Sequence, residues 1–154
     1  MKKIRTSFAL LVICLLCGSP LVHAQKSAEQ IKQMLEAKSF TFVAERAMPV
    51  RGGIEQLSSG YDLSVSKSSV VSYLPFFGKA QTIPIGATDG GIKFTSANFE
   101  YKTVFDGKLW QVTIKPDDVS HVQQLFLTVF DNGTATLDVS NIQRDNISFR
   151  GYIK

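Results

Sequence analysis

Short segments in which apolar and polar residues alternate recur along most of the chain. They are clearest at residues 40–44, 61–65, 99–103, 110–114 and 147–153. A strand that buries only one face alternates in this way, and residues such as Gly, Pro, Asn and Asp favour the turns between such strands. Short strands at this spacing predict a mainly β fold, either an antiparallel sandwich or a partly closed barrel.

A helix is predicted before the first strand. Ser27, followed by Gln30 three residues later, fits a capping box, in which each side chain accepts a hydrogen bond from the other residue's backbone N–H. The residues that follow form one apolar stripe, at Ile31, Met34 and Leu35. We expect a helix at about 27–38 that packs against the sheet, which makes the fold class α+β.

The turn sequence Asp106-Gly107 predicts a strand register. A two-residue turn here joins two antiparallel strands. Pairing outward from it sets three pairs opposite each other: Thr103 and Trp110, Tyr101 and Val112, and Phe99 and Ile114. One face of this hairpin is then apolar and the other mostly polar, so register and burial agree.

A second hairpin at Asp131-Asn132-Gly133 leaves two registers open. A three-residue loop with Gly133 in the left-handed conformation pairs Leu127 with Leu137, whereas a two-residue Asn-Gly turn pairs Thr128 with Leu137. The strand before this turn, 125–130, is apolar at nearly every position, so we expect it to be covered on both faces, with the helix on one. Residues 47–60 are rich in Gly, Ser and Pro and predict a long loop.

The first 24 residues have the pattern of an export signal. Lys2, Lys3 and Arg5 precede ten apolar residues, Phe8–Cys17, and Ala24 is a small residue at the expected cleavage site. An apolar run of ten is too short to span a bilayer. The prediction is therefore a periplasmic protein whose mature chain, residues 25–154, is a single β-rich domain without a transmembrane helix. The alternative is an outer-membrane lipoprotein acylated at Cys17.

Loss of the signal changes which functions the composition permits. Three of the 17 basic residues leave with it, so 14 bases and 13 acids remain, a formal charge of +1. A nearly neutral domain argues against nucleic-acid binding. Both cysteines and one of the two histidines also leave, so the mature chain has no thiol and only His121. Disulfides, cysteine nucleophiles and thiolate metal sites are excluded, and we expect no cofactor and no metal site.

Asp117, Asp118 and His121 are the first candidates for catalysis. Two carboxylates and an imidazole within five residues suit a divalent metal or paired acid and base roles. The structural interpretation is a solvated turn between strands, which we favour because a metal site needs more convergent ligands. An envelope hydrolase that uses these three residues is therefore the alternative hypothesis.

The segment from Tyr73 to Ala80 is the least ordinary part of the sequence. Its three aromatic residues flank Pro75 and precede Gly78, which fixes a bend and offers large flat surfaces. As a ligand site it would use Tyr73, Phe76 and Phe77 for apolar contacts and Lys79 for an acidic group. As core it would close one end of the barrel.

This segment resembles the domain-of-unknown-function family 4251. The resemblance continues through most of the mature chain, at Tyr73–Ala80, Ile92–Phe94, Phe99–Tyr101, Trp110, Gly133–Leu137, Arg144 and Ile147–Gly151. That family consists of exported proteins and lipoproteins of Bacteroidetes-type bacteria. The resemblance implies a location in the cell envelope, and it implies no activity, ligand or catalytic residue.

Our leading hypothesis is a non-catalytic envelope domain that binds a small apolar ligand or an envelope protein. It rests on the export signal, the β-rich pattern, the lack of catalytic groups and the aromatic segment. The hydrolase is the second hypothesis. A structural or inhibitor-like interaction module is the third, and it predicts an exposed apolar patch or edge strand instead of a pocket.

Overall fold

The computed structural model describes residues 27–79 and 90–154 as one helix and ten strands. The elements are α1 (Ala28–Glu36), β1 (Phe40–Pro49), β2 (Glu55–Gln56), β3 (Asp62–Val65), β4 (Val70–Leu74), β5 (Ile92–Ser96), β6 (Phe99–Phe105), β7 (Leu109–Pro116), β8 (Val122–Phe130), β9 (Thr134–Asn141) and β10 (Ile147–Ile153). The predicted export signal, residues 1–24 with Cys17, lies outside the described residues, as does Ala80.

The strands form one antiparallel sheet that nearly closes into a barrel. Their order is β5-β4-β3-β1-β10-β9-β8-β7-β6, and β2 pairs with β1 beside this path. β5 and β6 end the sheet, but only Ala97 and Asn98 separate them along the chain, so the two ends of the sheet meet at this corner. The mainly β fold with an N-terminal helix is confirmed, and of the two predicted architectures the barrel is observed.

Residues that face the barrel interior form one hydrophobic core. β10 shows the predicted alternation, with Ile147, Phe149, Gly151 and Ile153 buried. Ile31 and Leu35 of α1 are fully buried in the same cluster. The helix therefore packs on the inner side of the sheet, not on its outer face. Within the described parts of the chain, no helix has the length and apolarity of a membrane span.

The capping box of α1 is formed as predicted. The Gln30 backbone N–H donates to Ser27 Oγ over 3.3 Å, and the Ser27 N–H donates to Gln30 Oε1 over 3.1 Å. The helix ends at Glu36, two residues before the predicted end. Lys38 adopts a positive φ of 52°, which turns the chain toward β1.

The predicted β6–β7 register is wrong by two residues. Trp110 lies opposite Phe105 instead of Thr103, and Val112 lies opposite Thr103. The reason is the Asp106 side chain, because its Oδ1 accepts hydrogen bonds of 3.0 Å from the backbone N–H groups of both Lys108 and Leu109. The Asp106 N–H also donates to the Leu109 carbonyl over 3.1 Å, so the two turn residues are Gly107 and Lys108 instead of Asp106 and Gly107. A shift of two residues keeps every side chain on its predicted face.

The β8–β9 hairpin takes the three-residue loop. Gly133 has a φ of +84°, and Leu127 pairs with Leu137. The expectation that both faces of β8 are covered is wrong, since Phe126 and Thr128 are half-buried and Phe130 is 42% exposed. The helix adds its apolar stripe to the core that β8 already faces, so it leaves the outer face open.

The predicted loop at 47–60 is shorter than expected. β1 continues to Pro49, and the short strand β2 pairs with it through Glu55 and Gln56. Glu45 is an extra residue in β1 at a bulge, where the register against β10 shifts between Ala44 and Arg46. Residues 47–49, the first residues of the predicted loop, thus belong to β1.

Candidate functional site

An open groove lies between the N-terminal half of α1 and the tip of the β6–β7 hairpin. Its volume is about 550 Å³. We call it the α1 groove. Its lining residues are Ala28, Glu29, Lys32, Phe105, Gly107, Lys108, Trp110 and Asp131.

Two aromatic rings give the α1 groove its apolar surface. Phe105 and Trp110 are cross-strand partners, and their ring centroids are 4.9 Å apart at an interplanar angle of 36°. Further along the hairpin, Val112 and Ile114 are fully buried in the core. Phe105, at the tip, is 52% exposed. The hairpin therefore extends beyond the core and presents a large aromatic side chain to solvent.

The hairpin turn places Lys108 at the rim of the α1 groove. The backbone N–H groups of Leu109 and Lys108 donate to the Asp106 carboxyl and hold its pKa below the usual range, and the Leu109 bond has the larger effect. An ionised Asp106 is the stronger acceptor, so the turn that positions Lys108 is kept at neutral pH.

Tyr101 anchors the helix that forms the other wall. Its hydroxyl donates a 2.7 Å hydrogen bond to the backbone carbonyl of Leu35, and the Lys38 ammonium lies 5.1 Å from the centre of its ring. Burial raises the pKa of this hydroxyl well above its ordinary value. Tyr101 thus stays protonated and ties the last turn of α1 to β6.

Charges of both signs surround the aromatic pair. Glu29 and Lys32, three residues apart, lie on the helix side of the groove, while Lys108 and Asp131 lie on the side of the hairpin turns. Two bases and two acids leave the lining without a net charge. This arrangement can hold a flat apolar group against the rings and hydrogen-bond polar groups at its edges.

The predicted site residue Tyr73 lies on the outer face of the sheet. Its ring stacks on Tyr61 with centroids 6.0 Å apart at 14°, and the Lys93 ammonium lies 4.2 Å from its ring centre. The neighbouring Leu74 is fully buried on the inner face. Tyr73 belongs to a surface aromatic pair and does not line the α1 groove.

Phe76 and Phe77 pack against the core, half-buried. The Arg144 guanidinium lies 5.2 Å from the centre of the Phe76 ring, and burial lowers the pKa of Arg144. The Lys79 N–H donates to Asp145 Oδ2 over 3.2 Å, and the Asp145 N–H donates to the Lys79 carbonyl over 3.1 Å. The structure therefore separates Tyr73 from the phenylalanines and attaches Lys79 to the β9–β10 loop.

Asp118 holds the corner where the two ends of the sheet meet. The Ser96 hydroxyl donates to its Oδ1 atom over 2.5 Å, and the N–H groups of Ala97 and Asn98 donate to Oδ2 over 2.8 Å and 3.2 Å. The Ser96 hydrogen bond first, then these backbone bonds, lower the pKa of the carboxyl. The carboxylate is an acceptor for three donors of its own chain.

The His121 side chain contacts an aromatic ring. Its ring meets Phe94 edge-on, with centroids 6.0 Å apart. Burial, and then the positive charge of Arg144, lower its pKa. Among residues 27–79 and 90–154, no three His, Cys, Asp or Glu side chains are grouped as metal ligands.

Sequence reasoning missed the α1 groove. The only tryptophan of the chain, Trp110, three residues after a turn glycine, was an available signal. The predicted Asp106-Gly107 turn, however, paired Trp110 with Thr103 and so concealed its partner Phe105. Which residues of α1 line the groove depends on where the helix packs against β6, and no local sequence pattern determines that position.

Comparison with known proteins gives a family and a fold. The family model for the domain of unknown function DUF4251 matches residues 23–153. The crystal structure of a DUF4251 family protein from Bacteroides eggerthii DSM 20697 aligns with a TM-score of 0.56 at 17% identity, covering 82% of this chain and 85% of that chain. At this identity the likeness shows the fold alone. No curated protein matches the chain.

Proposed function

Because the chain belongs to the DUF4251 family, a family defined by a domain of unknown function, we propose a role from its own residues: a non-catalytic binding domain of the cell envelope. Its ligand is a small amphipathic molecule, and its site is the α1 groove. The observation that carries the proposal is the Phe105–Trp110 pair at the end of the core.

The aromatic pair supports binding because a ligand that covers its exposed apolar surface removes that surface from water, which is favourable in free energy. Phe105 is 52% exposed beside the half-buried Trp110. Covering roughly 100 Å² of such apolar surface contributes about 2.5 kcal/mol. The groove volume of about 550 Å³ lies in the range of small-molecule sites.

The charged rim supports an amphipathic ligand over a purely apolar one. Glu29, Lys32, Lys108 and Asp131 surround the rings, so a ligand that is wholly apolar would remove water from four charged groups without replacing it. A ligand with a flat apolar part and polar or charged edges satisfies both kinds of surface.

The N-terminal sequence supports a place in the envelope. Residues 1–24 have the basic, apolar and small-residue regions of an export signal, and the periplasm is the compartment we propose. Acylation at Cys17 remains the alternative and would attach the same domain to the outer membrane. A signal-peptidase inhibitor specific for lipoproteins distinguishes them, since a precursor accumulates only when Cys17 is acylated.

The contacts of Asp118 and His121 support a non-catalytic role. Asp118 accepts three hydrogen bonds at the sheet corner, and His121 lies edge-on to Phe94. A hydrolase that uses these residues needs a carboxylate free to act on a substrate or water. The hydrolase and the interaction module stay predictions, and no contact in the described residues favours either.

A fluorescent probe tests the proposed site directly. 8-Anilinonaphthalene-1-sulfonate has flat apolar rings and one anionic group, so it matches the aromatic pair and the lysines of the rim. We expect saturable binding to the folded protein and an affinity about tenfold lower for Phe105→Ala, the equivalent of about 1.4 kcal/mol.

Two matched controls make the result specific. Tyr152 is 39% exposed on the outer face and lies outside the α1 groove, so Tyr152→Ala removes a comparable ring and should leave the affinity unchanged. Lys108→Gln should weaken binding of the sulfonate, whereas Lys115→Gln, an exposed site on β7 outside the groove, should not. Equal losses in Phe105→Ala and Tyr152→Ala would contradict the proposed site.

A further inference from the structure

The bulge in β1 creates an unusual pair of charges on the outer face of the barrel. Ala44 lies opposite Gly151, Glu45 is the extra residue, and Arg46 lies opposite Arg150. Both arginines are exposed. The two Arg side chains are thus direct cross-strand neighbours in the middle of the sheet; we call them the arginine pair.

Without the bulge, the same sequence would produce the opposite charge pattern. Continuing the register from Ala44 and Gly151 would set Glu45, not Arg46, opposite Arg150. Directly opposed unlike charges stabilise a sheet, whereas directly opposed like charges destabilise it. The bulge therefore replaces a favourable pair by an unfavourable one, and in the described residues no carboxylate forms an ion pair with either guanidinium.

A depression in the surface accompanies the arginine pair. Its volume is about 420 Å³, and both Arg46 and Arg150 line it. Thr134 and Thr136 of β9 contribute hydroxyl groups, and Phe130 lies at its side. The two guanidinium groups make this surface rich in hydrogen-bond donors, whereas the Thr134 hydroxyl already donates to Asn132 Oδ1 over 2.7 Å.

We infer that the arginine pair is a binding site for a phosphate-type oxyanion. A guanidinium group presents parallel N–H donors that match two oxygens of a phosphate, and two such groups match a dianion. A bound oxyanion would also relieve the repulsion between Arg46 and Arg150. This site is separate from the α1 groove and does not depend on the proposed function.

A carboxylate also lies in the depression, because Glu45 lines it together with the two arginines. Its negative charge opposes an anion at the same place. Anion binding should therefore become tighter when Glu45 is replaced by Gln.

Calorimetric titration of the purified protein with inorganic phosphate tests the inference. We expect binding at low ionic strength, at least tenfold weaker in Arg46→Gln and Arg150→Gln, and tighter in Glu45→Gln. Arg51→Gln, an exposed arginine that does not line the depression, is the control and should bind as the wild type does.

Vesicles of phosphatidylglycerol distinguish a free phosphate from a lipid headgroup. Binding to either probe that weakens in both Arg46→Gln and Arg150→Gln supports the site, and competition between the probes shows that one site takes both. If neither probe binds the wild type, or if both variants bind as tightly as the Arg51→Gln control, the inference is wrong.

Discussion

Phe105 and Trp110 face each other across the β6–β7 hairpin just beyond the end of the barrel core. Their ring centroids are 4.9 Å apart, and Phe105 is 52% exposed. A cross-strand aromatic pair stabilises a hairpin by itself. Because this pair also lines a groove closed on one side by α1, it is the centre of the proposed ligand site.

Tyr101 should control how firmly α1 closes that groove. Tyr101→Phe removes the 2.7 Å hydrogen bond to the Leu35 carbonyl and leaves the ring in place. We expect the free energy of unfolding to fall by about 1 kcal/mol, together with faster amide hydrogen exchange in α1. Tyr152→Phe, on an exposed ring, is the matched control. Equal stability of the two variants would show that the bond does not fix the helix.

Gly151 should tolerate no side chain. A Cβ atom there would lie 1.8 Å from the backbone oxygen of Val43, on the strand that bulges at Glu45. Backbone cannot move away as a flexible side chain can, so Gly151→Ala should destabilise the protein by about 3 kcal/mol in chemical denaturation. Gly53→Ala has nothing within 4 Å of the new atom and should be nearly neutral. A stable Gly151→Ala protein would be inconsistent with this strand contact.

Asp118 should contribute to stability through the corner between β5 and β6. Asp118→Ala leaves the N–H groups of Ala97 and Asn98 without this acceptor, whereas the Ser96 hydroxyl keeps the Asn98 carbonyl 3.0 Å away, so the melting temperature at pH 7 should fall. Asp117→Ala is the control, because the exposed Asp117 contacts the corner through its backbone N–H, which donates to the Asn98 carbonyl over 2.9 Å and is kept in the variant.

The pH dependence of this contribution has a definite sign. The pKa of Asp118 is lower in the folded protein than in the unfolded chain, so its stabilisation is complete above the ordinary carboxyl pKa of about 3.9 and disappears as the pH falls through the folded value. The difference in melting temperature between the wild type and Asp118→Ala should therefore shrink in acid. A constant difference would contradict the role of the ionised carboxylate.

His121 should make the protein less stable in mild acid. Burial and Arg144 hold its folded pKa below the ordinary value of about 6.5, so the unfolded chain binds the proton first. The contribution of neutral His121 to stability is complete above the ordinary pKa of about 6.5. It is lost as the pH falls from there through the lower pKa of the folded protein. His121→Phe keeps an aromatic contact with Phe94 and cannot be protonated. Denaturation between pH 7 and pH 5 should show a flatter profile for this variant, and an unchanged profile would exclude His121 as the cause.

Local patterns were sufficient to predict most of the secondary structure. Ser27 and Gln30 identified the start of α1, and the alternation in β10 identified its buried face. These features depend on neighbours three or two residues apart, so the sequence contains them directly. The three-residue loop at Gly133 needed the structure, because two turn types fit the same residues.

Features that depend on distant contacts were not predictable. The β6–β7 register follows from where the Asp106 carboxylate bonds, and the bulge at Glu45 allows both Ala44 and Ala47 to face the core. The α1 groove combines residues that are about eighty positions apart, such as Lys32 and Lys108. The aromatic segment at Tyr73 was conspicuous in sequence, but alternation along β4 turns Tyr73 outward while Phe76 and Phe77 pack against the core.

Nuclear magnetic resonance of the Trp110 indole N–H tests the proposed ligand site most directly. The chain has one tryptophan, so its indole gives a single resonance that needs no further assignment. Titration with 8-anilinonaphthalene-1-sulfonate should shift this resonance in a saturable way, and Phe105→Ala should require about tenfold more probe for the same shift. A Trp110 resonance that does not move while the probe binds would place the ligand elsewhere and contradict the account.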